Sequence, residues 1–548
     1  MSNIVDAYIE LSDDADTRRA FIGDNTFSPL ALAVDSLAQV AGIKRILLPA
    51  DRVQDGIDQI QALKPYLDDE RVRVMPRITD PDLDAREVGR RLRQWSVTGN
   101  LHGPLMTTEF CTYGNPGRVL KSLPRPFPDW VLMISGNHGF ITEQIIRSLF
   151  DQANKSEWNE RFFCADGPRG LVPWMAKREV IEEHFSENII LQNEWRSRVV
   201  FWGKPIAHVP PSVVSCPRNF TLENPRARAF THATAAVLLE QGKSLDASLT
   251  MEDVTQATAG LDDLWIGDLP RDIEVEITTK RPFDPEYMPK LTRKQCDMSL
   301  QDFTKIVEQL TEDFGNINLT LGGHGDPAEH PDLVEFVRVA KKHCAGVCVR
   351  TFAVALKPET YEQLVEAQLD VLNVRFGYWD QEAYKEAHGL DIYEEVRTKL
   401  IHFLRGNLEE RESLFPVIVP EVVKGPAADK GLVDFYEKWG ERLAWPTISN
   451  YKTWGGALEA KQPIEMFPGT RRPCDRTTLQ LKIYADGSVP LCAVDFDAKR
   501  PIGNAFTTPI KELWRSPMLE ALRKSHREGA YERENPACKG CLEWFRLD

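Results

Sequence analysis

Residues 316–353, NINLTLGGHGDPAEHPDLVEFVRVAKKHCAGVCVRTFA, hold one full structural repeat. NINLTLGG (316–323) and GVCVRTFA (346–353) are short runs rich in β-branched and apolar residues, which predicts strands. Between them, DLVEFVRVAKKH (332–343) spaces its apolar residues at helical intervals. A strand, a helix and a second strand joined by short links form a right-handed crossover with parallel strands.

The unit recurs on both sides. IEVEITT (273–279) precedes it, and DVLNVRFG (370–377), FPVIVPEVV (415–423) and WPTIS (445–449) follow, with helical stretches such as SLQDFTKIVEQLTEDF (299–314) between. Six β–α units in series over residues 265–455 predict a partial parallel barrel; an open doubly wound sheet is the alternative. Residues 1–255 also alternate. KRILLPA (44–50), VRVMPRI (72–78) and DWVLMIS (129–135) read as strands. Residues 28–42 read as a helix with Ser28 as N-cap, Pro29 in its first turn and Gly42 at its end. Residues 465–548 change character after the linker GGALEAKQPIEMFPGT. LQLKIYADGSVPLC (479–492) predicts a hairpin turning at Asp486–Gly487, and a helix over about 509–528 follows. The fold class is therefore α/β with a small α+β carboxyl-terminal domain.

With 67 Lys and Arg against 82 Asp and Glu, the formal charge is −15, which opposes a general nucleic-acid footprint. The amino terminus, MSNIVDAYIELSDD, shows no export signal, and no apolar run has bilayer-spanning length. A cytoplasmic location without membrane or nucleic-acid partners is expected, with a protein or peptide partner open. Ten cysteines in that setting point to metal ligands or free thiols rather than disulfides.

Four of them crowd the end of the chain. Cys474 precedes the expected hairpin, Cys492 follows it, and Cys538 and Cys541 form PACKGC. Four thiolates suit zinc or an iron–sulfur cluster, and spacing does not separate the two. Cys344 and Cys348, in KKHCAGVCVR, read as a helix end and a strand packing residue, and Cys111 and Cys164 as ordinary buried or loop thiols.

The tail, with Cys474, Asp486–Gly487, Cys492, Gly503–Asn504, Leu513–Trp514 and Cys538/Cys541 in order, resembles the SPASM domain of radical SAM enzymes. That resemblance implies one 4Fe–4S cluster on the four cysteines, where full SPASM domains hold two. Residues 265–455 in turn resemble a radical SAM barrel. LTLGGHGDPAEHPDL (319–333) is similar to the strand-two motif that holds the amino group of S-adenosylmethionine, which implies a cofactor-binding role for His324, Gly325 and Asp326. VRTFAVAL (349–356) and LDVLNVRFGYWDQEAYKEAHG (369–389) resemble later segments of that barrel. Arg375 would face an anion at the carboxyl ends of the strands or pair internally with Glu274 or Glu276.

One departure is decisive for chemistry. The family places Cys-x3-Cys-x2-Cys after the first strand, and the matching positions here are Arg281, Pro285 and Met288. None is a thiolate, and Cys296 stands alone. The resemblance therefore implies a barrel without the ligands for reductive cleavage of S-adenosylmethionine, unless a second cluster sits elsewhere in an active peptide- or small-molecule-modifying enzyme. Residues 1–255 resemble GT-A nucleotidyltransferases, on SPLALAVDSLAQVAGIKRILLPADR (28–52), DWVLMISGNHGFITEQIIRSLF (129–150) and GPRGLVPWMAKREVIEEHF (167–185). The glycine-rich phosphate loop is missing from residues 10–27. The metal carboxylate position holds Asn137 or His138, and Arg18 and Arg19 read as a solvated pair. The order of parts resembles spiro-SPASM proteins, with nucleotide-sugar transfer by the first domain as a further alternative.

Overall fold

The computed structural model describes residues 5–12, 14–76, 123, 125–155, 162–163, 167–179, 182, 208–424, 431–440, 442, 444–459, 461 and 471–544. Cys111 and Cys164 lie outside these. The described chain forms two compact units that meet in sequence at Gly267–Asp268.

The first unit is built on a six-stranded sheet. Its strands are β1 (Val5–Glu10), β2 (Ile43–Pro49), β3 (Val72–Met75), β4 (Trp130–Ser135), β5 (Phe162–Phe163) and β6 (Trp174–Lys177), in the order β3-β2-β1-β4-β6-β5. β1 runs parallel to β2 and β4, and β6 runs antiparallel to β4. The central strand β1 escapes a reading by apolar runs because it carries Asp6. That carboxylate is fully buried and held by Arg45 of β2 at 2.5 Å. Ser28 caps the helix Pro29–Ala38 by accepting from Ala31 N, as its position predicts. That helix stops before Gly42. Gly42 is needed for packing instead, since a Cβ there would lie 1.6 Å from the ring of Phe150.

The second unit holds a seven-stranded sheet. Its strands are β7 (Asp272–Val275), β8 (Asn318–Leu321), β9 (Gly346–Thr351), β10 (Val371–Gly377), β11 (Val417–Lys424), β12 (Thr447–Asn450) and β13 (Gln480–Ile483). The order is β12-β11-β10-β9-β8-β7-β13, every pairing parallel. From β7 to β12 each new strand adds to the same side. A doubly wound sheet reverses direction partway, so that alternative is excluded.

β13 breaks the sequence by joining the other side of β7. It comes from the cysteine-bearing tail, where a hairpin is predicted. The turn forms, with Gly487 N donating to Tyr484 O and Tyr484 N to Ser488 O, both at 2.8–2.9 Å. Yet β13 spends its ladder on β7, while β14 (Ser488–Pro490) pairs antiparallel with β15 (Pro501–Asn504). The alternation in β7 explains the attraction. Ile273 and Val275 are fully buried, and Glu274 opposite them is buried too, in register with Lys482 of β13. The two side chains pair at 2.8 Å.

This pair makes the attachment of β13 sensitive to acid. Burial alone would raise the Glu274 pKa, but Lys482 and Arg350 hold it down, from 4.5 to about 2. Its contribution, roughly 3 kcal/mol by linkage, is complete above pH 4.5 and lost as the pH falls towards 2. Lys482→Met strands a buried carboxylate and should cost about 3–5 kcal/mol at neutral pH. Denaturant melts at pH 7 and pH 3 should show that gap shrinking in acid; an equal gap at both values contradicts the assignment.

Candidate iron–sulfur site and the carboxyl edge of the sheet

The tail is too short for a large apolar core, and cationic side chains brace it. Arg523 is 1% exposed; it donates to Thr477 O and Trp514 O, each at 2.8 Å, and lies over the Trp514 ring. Arg471 donates to Cys538 O at 2.7 Å and stacks on Tyr531. Arg476 donates to Glu543 O. These contacts tie the segments before β13, around Trp514 and Tyr531, and at 538–543 together.

Cys474, Cys492, Cys538 and Cys541 lie within electrostatic reach of one another there. Burial raises each thiol pKa: Cys492 to about 12, Cys538 to about 11, Cys474 and Cys541 upward as well. The sulfurs also feel one another. Cys474 acts on the other three, and Cys492 on Cys541. Arg476 offsets this at Cys474 and Cys492, and Arg471 and Arg500 at Cys538. Coordination by a metal would remove the proton that burial retains, and the three guanidiniums would balance the thiolate charge.

Two further groups complete the shell. Cys474 N donates to His526 Nδ1 at 3.2 Å, which places the ring proton on Nε2; that nitrogen is buried without a partner. Cys541 Sγ donates to Glu543 Oε2 at 3.0 Å. Glu543 Oε1 accepts from Thr453 N at 2.8 Å and Thr453 Oγ1 at 3.0 Å, so the carboxylate joins the cysteine site to the segment after β12. Neither His526 nor Glu543 follows from cysteine spacing. Among the described residues, no three His, Cys, Asp or Glu side chains are grouped to hold a single metal ion.

The carboxyl edge of the seven-stranded sheet is filled. Tyr287 and Met288 descend from the loop after β7 and pack against Phe352 and Tyr451, with Phe283 and Trp454 beside them. Trp454 Nε1 donates to Tyr287 O at 2.9 Å. Gly377 has φ +75°, and a Cβ there would meet the Tyr287 ring at 2.4 Å, so the plug requires glycine. Arg281 pairs with Asp284, and Cys296 N donates to Thr279 Oγ1 at 2.8 Å.

His324, Gly325, Asp326 and Arg375 all lie at this edge, buried. Both Asp326 oxygens are engaged: Oδ1 by Thr351 Oγ1 at 2.5 Å and Ala328 N at 3.0 Å, Oδ2 by Phe352 N at 3.1 Å. A Cβ on Gly325 would lie 1.8 Å from Thr278 O, so this turn presses on the loop after β7. His324 is fully buried with no partner for either ring nitrogen among the described residues, and it packs on Trp454 and Phe496 at 4.7 and 5.4 Å between centroids. Burial first, then Lys482, Arg281, Arg293 and Arg375, hold its pKa well below the ordinary range, so it is neutral.

Arg375 differs from the internal pairing expected of it. Glu274 is taken by Lys482. Glu276 is taken by Arg293 at 2.9 Å and by His324 N at 2.9 Å. Arg375 Nη1 instead donates to Gly323 O at 2.9 Å. Arg350 donates to Asn373 at 2.9 Å and stands 3.8 Å from Glu421, which accepts from Ser449 Oγ at 2.7 Å. Cys348 packs with Val371, Val417 and Val419 near the amino ends of their strands, and Cys344 follows the helix Leu333–Ala340. Burial raises both thiol pKa values to about 12.

In the first unit Asn137 and His138 are committed to structure. Asn137 Oδ1 accepts from Leu222 N at 2.8 Å and its Nδ2 donates to Glu223 at 3.1 Å. His138 contacts Ser135 N and O through Nδ1 and Val172 O through Nε2. Arg18 pairs with Asp55 and Arg19 with Asp16. No helix among the described residues is long and apolar enough to cross a membrane.

Comparison with known proteins bears on the tail. The family model of SPASM, an iron–sulfur cluster-binding domain, matches residues 474–542. An uncharacterized protein of Treponema pallidum (strain Nichols) is 23% identical over 288 residues, covering 50% of this chain and 77% of that one. Streptococcus suis SuiB is similar at 14% identity and TM-score 0.41, over 55% of this chain and 80% of its own. BtrN in complex with AdoMet and 2-DOIA is similar at 17% identity and TM-score 0.34, over 50% and 93%. anSMEcpe with bound AdoMet stands at 13% and 0.37, over 50% and 86%. The carboxyl-terminal segment of this chain is thus a SPASM iron–sulfur cluster-binding domain, and all four tail cysteines fall within the match.

Proposed function

We propose that this chain is an iron–sulfur protein of radical SAM/SPASM lineage that carries one 4Fe–4S cluster and does not cleave S-adenosylmethionine. The observation that carries the reading is the contrast between two places in one unit. Four thiols within electrostatic reach of one another gather in the tail, and an aromatic plug fills the carboxyl edge of the sheet.

The family match favours the cluster over zinc, because the model of an iron–sulfur cluster-binding domain spans residues 474–542 and all four cysteines. When bound, such a cluster supplies one-electron transfer. The residues around it hold the thiolates, balance their charge and keep water out.

At the carboxyl edge of this partial barrel the charges are already balanced. The cations Lys482, Arg350, Arg375 and Arg293 lie among Glu274, Glu421, Glu276 and Asp326. The loop that would carry three cluster cysteines offers Arg281, Pro285 and a buried Met288. The role that fits is electron relay, ligand binding or a scaffold for a partner protein or peptide. The first unit is a nucleotidyltransferase-like layout in the same condition, since Asn137 and His138 brace loops where a metal carboxylate is needed.

Anaerobic reconstitution should yield about four irons per chain and a broad visible absorption. Cys538→Ser with Cys541→Ser should abolish that absorption; a colourless chain loaded with zinc, or about eight irons, overturns the reading. Reduced with dithionite and given S-adenosylmethionine, the loaded protein should release no 5′-deoxyadenosine, and catalytic release defeats the proposal. Calorimetry with CTP and Mg2+ should show no heat of binding, and saturable binding would restore transfer chemistry to the first unit.

A further inference from the structure

A cavity of about 460 Å³ opens beside Cys492. It lies between the segment after β12 (454–457), the segment after β14 (491–500) and residues 535–537, all within the second unit. Its size is in the range of sites that enclose a small organic molecule.

The walls are specific. The rings of Trp454 and Phe496 pack edge to face, 84° apart with centroids 6.4 Å apart, and form one continuous aromatic wall. His324 packs behind both rings and steadies that wall. Val494 and Leu491 add apolar surface. Gly455 and Gly456 have φ +67° and +92°, which draws the backbone back, and a Cβ at Gly456 would meet open space.

The rim is cationic. Lys499 and Arg500 line the cavity and are exposed, and neither forms an ion pair among the described residues. Arg500 gives one N–H to Glu534 O at 2.6 Å, and Lys499 Nζ lies 5.7 Å from the Phe496 centroid. The acid in the lining is Asp495, whose oxygens accept from Lys499 N at 3.0 Å and Arg500 N at 2.8 Å. That carboxylate is used to hold the two cations in place. Lys499 and Arg500 put positive charge at the rim beside the aromatic wall, and Arg500 also acts on the Cys538 thiol, so an anion is favoured at the rim.

We propose that this cavity binds a small carboxylic acid with a flat apolar body. The ring system lies on the wall made by Trp454 and Phe496, and the carboxylate meets Lys499 and Arg500. The inference rests on the cluster reading in one respect: Cys492, a proposed ligand, forms part of the wall, so a bound acid lies against the cluster.

The probes are indole-3-acetate and its uncharged analogue indole-3-acetamide, titrated into the reconstituted full chain by calorimetry. The acid should bind at least about tenfold tighter than the amide. Lys499→Ala with Arg500→Ala should erase that preference while leaving aromatic binding. Ala457→Trp, at an exposed lining position, should block both probes. Iron content and visible spectrum should stay at wild-type values in Ala457→Trp, and the acid should shift the electron paramagnetic resonance signal of the reduced cluster. Equal affinity for acid and amide, absence of binding, or undiminished binding by Ala457→Trp overturns the site. If the rim cations served only to neutralise the cluster, the two probes would bind alike. A chain that takes up no iron would refute the cluster reading instead, and the calorimetric comparison would still decide the cavity.

Discussion

Everything in the second unit leans on the ladder between β7 and β13. The tail between Cys474 and Cys541 is short, and it is anchored by lending one strand to the edge of a larger sheet. The register of that loan is set by charge. A slip by one residue would put Lys482 on the other face and leave Glu274 buried without a partner, at a cost of several kcal/mol. Cys474 lies ahead of β13 and Cys492 just beyond β14, so the register that pairs Glu274 with Lys482 also fixes where two of the four sulfurs stand.

The same economy operates at the carboxyl edge. Glu276 lies one residue past β7 and receives Arg293, His324 N and, at 3.5 Å, Ala485 N, which brings together the loop after β7, the turn after β8 and the turn after β13. Gly323 must be glycine for this, since its φ is +123° and a Cβ would lie 2.8 Å from the Glu276 side chain. Hydrogen bonds and rings pack the carboxyl edge of this sheet. A buried carboxylate is tolerated only when paired, and here pairing and closure are the same contacts.

The sequence showed what local pattern can show. Alternation and spacing placed the strands from Ile273 to Ser449 and the capped helix after Ser28, and thiol spacing singled out Cys474, Cys492, Cys538 and Cys541. Three kinds of feature stayed hidden. β1 was masked by Asp6, whose partner Arg45 lies far along the chain. The destination of β13 was masked because a turn at Asp486–Gly487 suggests a local hairpin, while the better partner is more than two hundred residues away. Arg375 could be placed at the edge but not paired, because its rivals for Glu274 and Glu276 are Lys482 and Arg293, and nothing local ranks three cations for two acids. Glu543 and Trp454 gave no signal at all, since each acquires meaning only through a contact distant in sequence.

Glu543 shows why cysteine site and sheet edge form one device. One of its oxygens meets Cys541 Sγ and the other holds Thr453, whose neighbour Trp454 donates to Tyr287 O in the plug and packs on His324. A displacement of Cys541 therefore reaches the plug through a single carboxylate and a single indole, each fully engaged. The cysteine site and the packed sheet edge are thus tied by contacts that lie far apart in sequence.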